Sequence, residues 1–425
     1  MAQAHRSSAA TDNSSGSPAQ VRGIRHVDLR NLQLASSETA RRINRDIVLE
    51  LIRTSQPISR ADLARRSGLQ RSTVSQIVEQ LLRERWVREG SVVSAPRGRR
   101  PTLIGLNEDL VAIAVDIHPR RAAVALVDLN GQLLDHALVP LSSDPAASAR
   151  LLVESIQRLR NAAAGKSIEG IGISVPGRVD PATQRMTFAP NLHWPDFDLR
   201  REIQSHFDYP VKLENAATAS LLAELTFARM DGVRDAVLVT VSEGVGTGIF
   251  ANGQLVSGAH GLAGEFGHIP IDPTGPRCAC GQKGCWETFA SSRAALRYYR
   301  EERPKARASS FQALLALAEQ GDPAAAKALA RQASAIGRGL RMIVASLSPS
   351  VILIAGDVTA AWHRFGSAIE SEVARLTLAG APPQIRPTHG TEVSRLRGAA
   401  ALIFQRPALS EIPGSPALVT ARRAT

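Results

Sequence analysis

The chain has 425 residues, which is enough for two or three domains with sizeable cores. Hydrophobic residues make up 44% of the chain and charged residues 21%, values typical of a soluble globular protein. Only three cysteines are present, which excludes a disulfide scaffold, and an aromatic content of 4% argues against a base-stacking platform for single-stranded nucleic acid.

The net charge of +12 is concentrated in the first quarter of the chain. Residues 1–107 contain 18 arginines, no lysine and 9 acidic residues, so this quarter carries +9 of the total. A clustered positive charge indicates a polyanionic partner. The polar N-terminus lacks the apolar segment of a secretory signal, and the uncharged stretch 342–356 is too short to cross a bilayer. We therefore expect a cytoplasmic protein without a membrane partner.

Four segments follow from the distribution of apolar and turn residues. Residues 1–35 are poor in large apolar groups and residues 406–425 contain three prolines without an apolar period, which predicts two flexible tails. Residues 36–107 are basic and mostly helical in pattern. Over residues 108–405, runs of apolar and β-branched residues alternate with helical stretches. That alternation is typical of an α/β fold.

The segment 36–107 has the pattern of a winged helix-turn-helix domain. An apolar stripe predicts a first helix, and Ser59 with Asp62 predicts the capped start of a second helix, which Gly68 ends. A third helix is predicted over 71–85, followed by two short strands, 86–88 and 92–93, and then by a basic loop. Three short helices, a glycine turn and a basic hairpin together favour an all-α winged helix-turn-helix domain.

Contacts to double-stranded operator DNA are predicted on the third helix and on the basic loop, 94–102, called the wing below. A helix that enters the major groove reads base edges through polar side chains, and arginines at a hairpin tip reach phosphates or the minor groove. The alternative is a small helical domain with a solvated arginine-rich face. The predicted contacts are Arg71, Ser72, Thr73, Ser75 and Gln76 on the helix and Arg97, Arg99 and Arg100 on the wing.

All three cysteines of the chain follow one histidine within a single short segment. The spacing is His268-x9-Cys278-x-Cys280-x4-Cys285. One imidazole and three thiolates form a closed tetrahedral zinc site, and four protein ligands leave no open position for catalysis. The alternative is three unrelated buried thiols near a loop histidine. The pattern predicts a structural Zn²⁺ site.

Several motifs of the body together resemble the ROK family, which contains bacterial repressors and sugar kinases. The most specific motif is 258–268, GAHGLAGEFGH, which leads into the cysteine segment and Gly284–Glu287. The resemblance covers about residues 36–405. It implies an actin-like, sugar-kinase (ribonuclease H-like) body of two α/β lobes that divide near 225–235. It also implies a sugar site shaped by the zinc ion. Supporting motifs are Gly172–Gly177, Pro190–Leu192 with Trp194, Glu214–Thr218 and the wing sequence 97–103.

Carried over from the family, the sugar-binding positions are Asn215, Glu265, His268 and Glu287. Sugar hydroxyls come in vicinal pairs, and one carboxylate accepts hydrogen bonds from two of them. His268 would bind zinc through one ring nitrogen and face a hydroxyl with the other. For Asn215 the role of a turn residue remains an open alternative.

The sequence departs from the kinases of the family at positions that phosphoryl transfer requires. Their general base, an aspartate, is replaced by Ala216, which accepts no proton. After the first strand, Asp116 is followed by His118 and Pro119 where kinases have phosphate-binding glycines. A second glycine turn, 244–248, is kept. We therefore expect no catalytic residues and no enzymatic activity.

These features predict a transcriptional regulator, most simply a repressor of sugar uptake or catabolism genes. A homodimer or dimer of dimers would bind a palindromic operator, and a sugar or sugar derivative would act as effector. Two alternatives remain. The first is an active sugar kinase with an added DNA-binding domain. The second is a regulator that has lost sugar binding and acts through a protein partner.

Overall fold

The computed structural model describes residues 37–92, 102–189, 191–194, 196–228, 230, 232–305, 308–375, 380–388 and 390–405. Both predicted tails, 1–35 and 406–425, and the wing arginines Arg97, Arg99 and Arg100 lie outside the described residues.

The N-terminal part, called the head below, consists of three helices and a small three-stranded sheet. Ser59 accepts a hydrogen bond from the backbone N–H of Asp62 at the start of the second helix, and Gly68 ends that helix at φ +70°. The sheet order is β1-β3-β2. The elements are α1 (Ser37–Ser55), β1 (Ile58–Ser59), α2 (Arg60–Ser67), α3 (Arg71–Arg83), β2 (Val87–Val92) and β3 (Thr102–Leu106).

The first lobe of the body is a five-stranded mixed sheet of order β10-β7-β4-β5-β6. Its central strand β4 is completely buried because helices cover both faces. The elements of this lobe are β4 (Leu110–Ile117), β5 (Arg121–Asp128), β6 (Leu133–Pro140), α4 (Pro145–Ala162), β7 (Ser167–Val175), β8 (Arg178–Val179), β9 (Met186–Phe188), α5 (Leu199–Gln204), β10 (Val211–Asn215) and α6 (Ala216–Phe227).

The second lobe is a five-stranded sheet of order β13-β12-β11-β14-β15, packed against a helical layer. The chain then returns to the first lobe through the last helix. The elements are β11 (Ala236–Val241), β12 (Val245–Ala251), β13 (Gln254–Leu255), α7 (Glu287–Ala290), α8 (Ser292–Glu302), α9 (Phe311–Glu319), α10 (Pro323–Leu347), β14 (Val351–Ala355), α11 (Trp362–Ala374), β15 (Gln384–Pro387) and α12 (Thr391–Phe404).

The core of the second lobe is centred on Trp286, which is completely buried. Its indole N–H donates to the backbone oxygen of Ala335 on α10 at 2.8 Å. Gly339, one turn further along α10, leaves the space that the ring fills, since a Cβ there would lie 1.8 Å from the indole. This packing anchors the segment immediately after Cys285 to the longest helix of the lobe.

Candidate functional site

A cleft of about 720 Å³ lies between the two sheets of the body. The first lobe contributes the β7–β8 turn and the start of α6, and the second lobe contributes the β11–β12 turn and the loop 257–265. Ligand sites in α/β proteins form outside the carboxyl ends of strands, which is where these turns lie. The volume is in the range of small-molecule sites.

The four predicted metal ligands meet at one side of the cleft. The ligand atoms of His268, Cys278, Cys280 and Cys285 all lie within 4.8 Å of one another. The Cys278 Sγ lies 3.4 Å from His268 Nδ1, and the Cys280 and Cys285 Sγ atoms are 3.6 Å apart. Sulfur atoms around a tetrahedral zinc ion are separated by about 3.8 Å. The cluster therefore has the composition and the spacing of a metal site.

The loop that carries these ligands is shaped for a tight turn. Short antiparallel bridges pair Pro270 with Cys285 and Arg277 with Lys283. Gly284 has φ +68°, and a Cβ at this position would lie 1.5 Å from a backbone oxygen. Only glycine fits there, so the chain can fold back and place Cys285 opposite the other ligands.

Burial favours the protonated form of the Cys278 and Cys285 thiols when no cation is nearby. Burial raises the pKa of the Cys285 thiol to about 11, and nearby Cys280 and Glu287 contribute to the shift. Burial raises the pKa of Cys278 as well. A bound divalent cation supplies the charge that stabilises thiolates, so metal binding here releases protons.

Glu265, His268 and Glu287 form a polar wall of the cleft beside the metal cluster. Glu287 accepts a hydrogen bond from the backbone N–H of Val245 at 3.1 Å. His268 Nε2 lies 3.7 Å from Glu265 Oε2, while His268 Nδ1 faces Cys278. Burial raises the pKa of Glu265, although nearby His268 and Arg178 counteract the shift. The two ring nitrogens of His268 thus face different partners, a thiol and a carboxylate.

Asn215 also lines the cleft, but its amide is held by local structure. Its Oδ1 caps α6 by accepting from the backbone N–H of Ala217 at 2.8 Å. Its Nδ2 donates to the backbone oxygen of Gly177 at 2.8 Å. The capping role matches the turn alternative left open above. The two hydrogen bonds of the Asn215 amide leave one Nδ2 hydrogen and one Oδ1 lone pair for a ligand.

Glu214 is a half-buried acid in β10, next to Asn215. Burial raises its pKa from 4.5 to about 7, although the backbone N–H of Asn215 counteracts the shift. The folded state binds this proton more tightly than the unfolded state, so the contribution of Glu214 to the free energy of unfolding is lost as pH rises from about 4.5 to 7. Glu214→Gln is expected to raise the melting temperature relative to wild type more at pH 8 than at pH 5. Equal changes at both values, measured by calorimetry with Glu319→Gln as an exposed control, would contradict this.

The first-lobe side of the cleft contains an internal ion-pair cluster. Asp116 is fully buried and receives hydrogen bonds from Arg395 Nε at 2.8 Å and Ser174 Oγ at 3.0 Å. His118 Nε2 lies 2.8 Å from the same carboxylate. Burial raises the pKa of Asp116, but Arg395 and His118 more than counteract it and hold the value below its usual range. Sequence reasoning missed Arg395, because it lies 279 positions from Asp116.

The positions that differ from the kinases line the same cleft. Ala216 is the first residue of α6, and Pro119 lies beside the ion-pair cluster. The cleft is also lined by Asp357, which accepts a hydrogen bond from Ser292 Oγ at 3.1 Å and follows Gly356, whose φ is +97°. The turn 244–248 also lies on the cleft, and a Cβ at Gly244 would collide with Glu287.

The described DNA-contact candidates lie on one helix away from the core. Val74, Ile77, Val78 and Leu81 form the buried face of α3. The predicted contacts occupy the remaining positions at its N-terminal end: Arg71, Ser72 and Gln76 are exposed, and Thr73 and Ser75 are half-buried. Gln70 precedes this helix without a side-chain cap. Within the described part of the chain, no helix is long and apolar enough to cross a membrane.

Comparisons with known proteins agree with this arrangement. A model described as the ROK family matches residues 112–406, and a model described as the IclR helix-turn-helix domain matches residues 48–91. The chain belongs to the ROK family.

Regulators and kinases both occur among the similar proteins. The "Xylose repressor" of Bacillus spizizenii (strain ATCC 23059 / NRRL B-14472 / W23) is 32% identical over 80% of this chain and 89% of its own length. The "DNA-binding transcriptional dual regulator NagC" of Escherichia coli (strain K12) is 28% identical over 80% and 86%. A ROK glucokinase from Streptomyces griseus, solved with glucose and AMPPNP, has a TM-score of 0.62 at 28% identity, covering 69% of this chain and 98% of its own. A ROK transcriptional regulator, described as a homologue of the E. coli MLC protein, has a TM-score of 0.71 at 25% identity, covering 86% and 98%.

Proposed function

We propose that this protein is a sugar-responsive transcriptional repressor. The head, residues 36–107, binds operator DNA, and the body, residues 108–405, binds a sugar or sugar derivative in the cleft and forms a homodimer. The observation that carries the proposal is the combination of a helix-turn-helix head with a cleft in which Glu265, His268 and Glu287 converge beside the metal cluster. Regulators named for xylose and N-acetylglucosamine, which match 80% of this chain and most of their own length, support it.

The sugar is bound by groups that already point into the cleft. The carboxylates of Glu265 and Glu287 accept from vicinal hydroxyls, and His268 and Asn215 complete the set. The backbone N–H of Val245 orients Glu287, and the thiol of Cys278 orients His268. Such pre-orientation reduces the ordering cost on binding.

Zinc is the metal that the cluster suits best, since one imidazole and three thiols are its usual structural ligand set. The ligands would be His268, Cys278, Cys280 and Cys285. A bound ion supplies charge that stabilises thiolates and ties the loop 268–285 together. The Cys278 contact orients His268, and the anchored Trp286 places the adjacent Glu287 at the wall of the cleft.

Operator binding uses the exposed end of α3 in the major groove and the wing arginines on phosphates or in the minor groove. The contacts proposed on α3 are Arg71, Ser72, Thr73, Ser75 and Gln76, all of which lie off its buried face. A two-fold dimer would place two such helices on the half-sites of a palindrome.

The experiment that tests the proposal is selection of operator fragments from genomic DNA, followed by release of the complex with sugars. The panel contains D-xylose, D-glucose, N-acetyl-D-glucosamine and the 6-phosphates of the two hexoses. We expect at least one to weaken operator binding by about tenfold or more. Glu265→Gln should abolish that effect and retain DNA binding, whereas Glu202→Gln on the surface should behave as wild type. No specific fragment, or no sugar effect, contradicts the proposal.

A sugar kinase with a DNA-binding head is the second candidate, favoured by the glycine turn 244–248 in the cleft and by glucokinases such as that of Streptomyces coelicolor, 31% identical over 59% of this chain. Ala216 leaves no general base at the position where the kinases have one. ATP consumption with the same sugars separates the two candidates. Sugar-dependent phosphate transfer that Asn215→Ala abolishes would favour the kinase.

A further inference from the structure

We infer that α12 couples the cleft to the DNA-binding head, an inference that rests on the proposed function and assigns its route of regulation. One end of this helix forms part of the ion-pair cluster in the cleft. The other end lies in the core that the head shares with the first lobe. The helix has 14 residues and spans about 21 Å.

The cleft end of α12 carries two ion pairs that cross to the first sheet. Arg395 donates to Asp116 on β4 at 2.8 Å, and its terminal nitrogen lies 2.9 Å from His118. Glu392 accepts from Arg121 on β5 at 2.8 Å. All of these residues except the buried Asp116 line the cleft directly. A molecule that enters this end must therefore contact or displace them.

The middle of α12 packs closely against the first lobe. A Cβ at Gly172 on β7 would lie 1.8 Å from the backbone oxygen of Ala399, and a Cβ at Gly398 would lie 1.9 Å from that of Ala219 on α6. The helix backbone is thus in direct contact with elements on both sides. Close-packed elements shift between discrete positions rather than absorbing displacement gradually.

A short chain of hydrogen bonds continues from α12 to the head. Arg397 donates to the backbone oxygen of Gly131 in the β5–β6 turn at 2.7 Å. The adjacent Asn130 Oδ1 accepts from Gln56 Nε2 at 2.7 Å. Gln56 directly follows α1, and its Oε1 accepts from the backbone N–H of Leu106, the last residue of β3. Gln56 therefore links the end of α1 and the end of β3 in the head to the β5–β6 turn of the body.

The apolar contacts follow the same route. Leu396 and Phe404 on α12 belong to the same buried cluster as Ile104 and Leu106 on β3. Leu129, beside the β5–β6 turn, is part of this cluster as well. A shift of α12 at the cleft thus changes the packing beneath the head.

The test measures the coupling factor, the ratio of operator dissociation constants with and without the active sugar of the panel above, in full-length protein. The variants Asn130→Ala and Arg397→Met each remove one bond of the route outside the sugar-binding positions. We expect a wild-type factor of about tenfold or more to fall to about twofold or less in both. Sugar affinity measured without DNA, operator affinity measured without sugar, and melting temperature should stay near wild type.

The matched control is Arg341→Met, which removes a helix-to-helix ion pair with Glu372 in the second lobe, away from the route. Its coupling factor should equal that of wild type. A wild-type factor retained in both route variants, or lost equally in the control, overturns the inference while the proposed function stands. A wild-type protein whose operator affinity no sugar of the panel changes contradicts the proposed function itself, and the inference with it.

Discussion

Replacing Cys280 with serine is expected to remove the metal and to destabilise the body. Cys280 is the least buried of the three thiols, so the substitution changes little packing and reports on ligation. Metal binding that is coupled to folding contributes to the free energy of unfolding, and one lost thiolate forfeits much of that contribution. We expect zinc content to fall from about one ion per chain to a small fraction and the melting temperature to fall by about 5 °C or more.

Atomic emission spectroscopy and calorimetry on the same preparations measure both effects. Thr274→Ala is the matched control, because Thr274 lies in the same loop and bonds only Asp272 within the described residues. A Cys280→Ser protein with full metal content and the wild-type melting temperature would remove Cys280 from the ligand set. Loss of metal in the Thr274 variant would show that the loop is sensitive to any change.

Replacing Arg99 and Arg100 together with alanine is expected to weaken operator binding and to flatten its dependence on salt. Both arginines lie on the wing, and each phosphate contact releases condensed counterions. Loss of two contacts should make the slope of log K against log salt less negative by about 1.8. The affinity should fall by about tenfold or more, since each contact is charge-assisted.

The matched control is the double variant Arg303→Ala with Arg375→Ala, which removes the same two charges from exposed positions of the second lobe. Its salt slope should equal that of wild type. Fluorescence anisotropy with a labelled operator between 50 and 300 mM salt gives both quantities. An unchanged slope in the wing variant would exclude the wing from the DNA interface.

Patterns that act over a few residues were readable from the sequence. The serine cap and the glycine end of α2 are present where they were predicted, because a capping side chain and a left-handed C-cap involve neighbours only three or four positions away. The third helix was predicted over 71–85 and extends over Arg71–Arg83, with the expected buried face. The two short strands expected after it form the single strand β2, Val87–Val92, in the structure.

The metal cluster was also accessible from the sequence, since its ligands lie within one segment of 18 residues that folds back on itself through Gly284. The role of Asn215 was not accessible from the sequence. Its alternatives, ligand or turn residue, depend on partners at Gly177 and Ala217, and only the fold brings Gly177 within 2.8 Å.

The sequence by itself determined the charge of the head, its helix-turn-helix pattern, the family and the cluster of one histidine and three cysteines, because each depends on residue type and local spacing. Tertiary structure alone decided the partner of Asp116 and the contact between Gln56 and Asn130. The physical reason is that a buried charge takes whichever opposite charge the topology brings near it, and α12 returns to the first sheet only after the whole second lobe has formed.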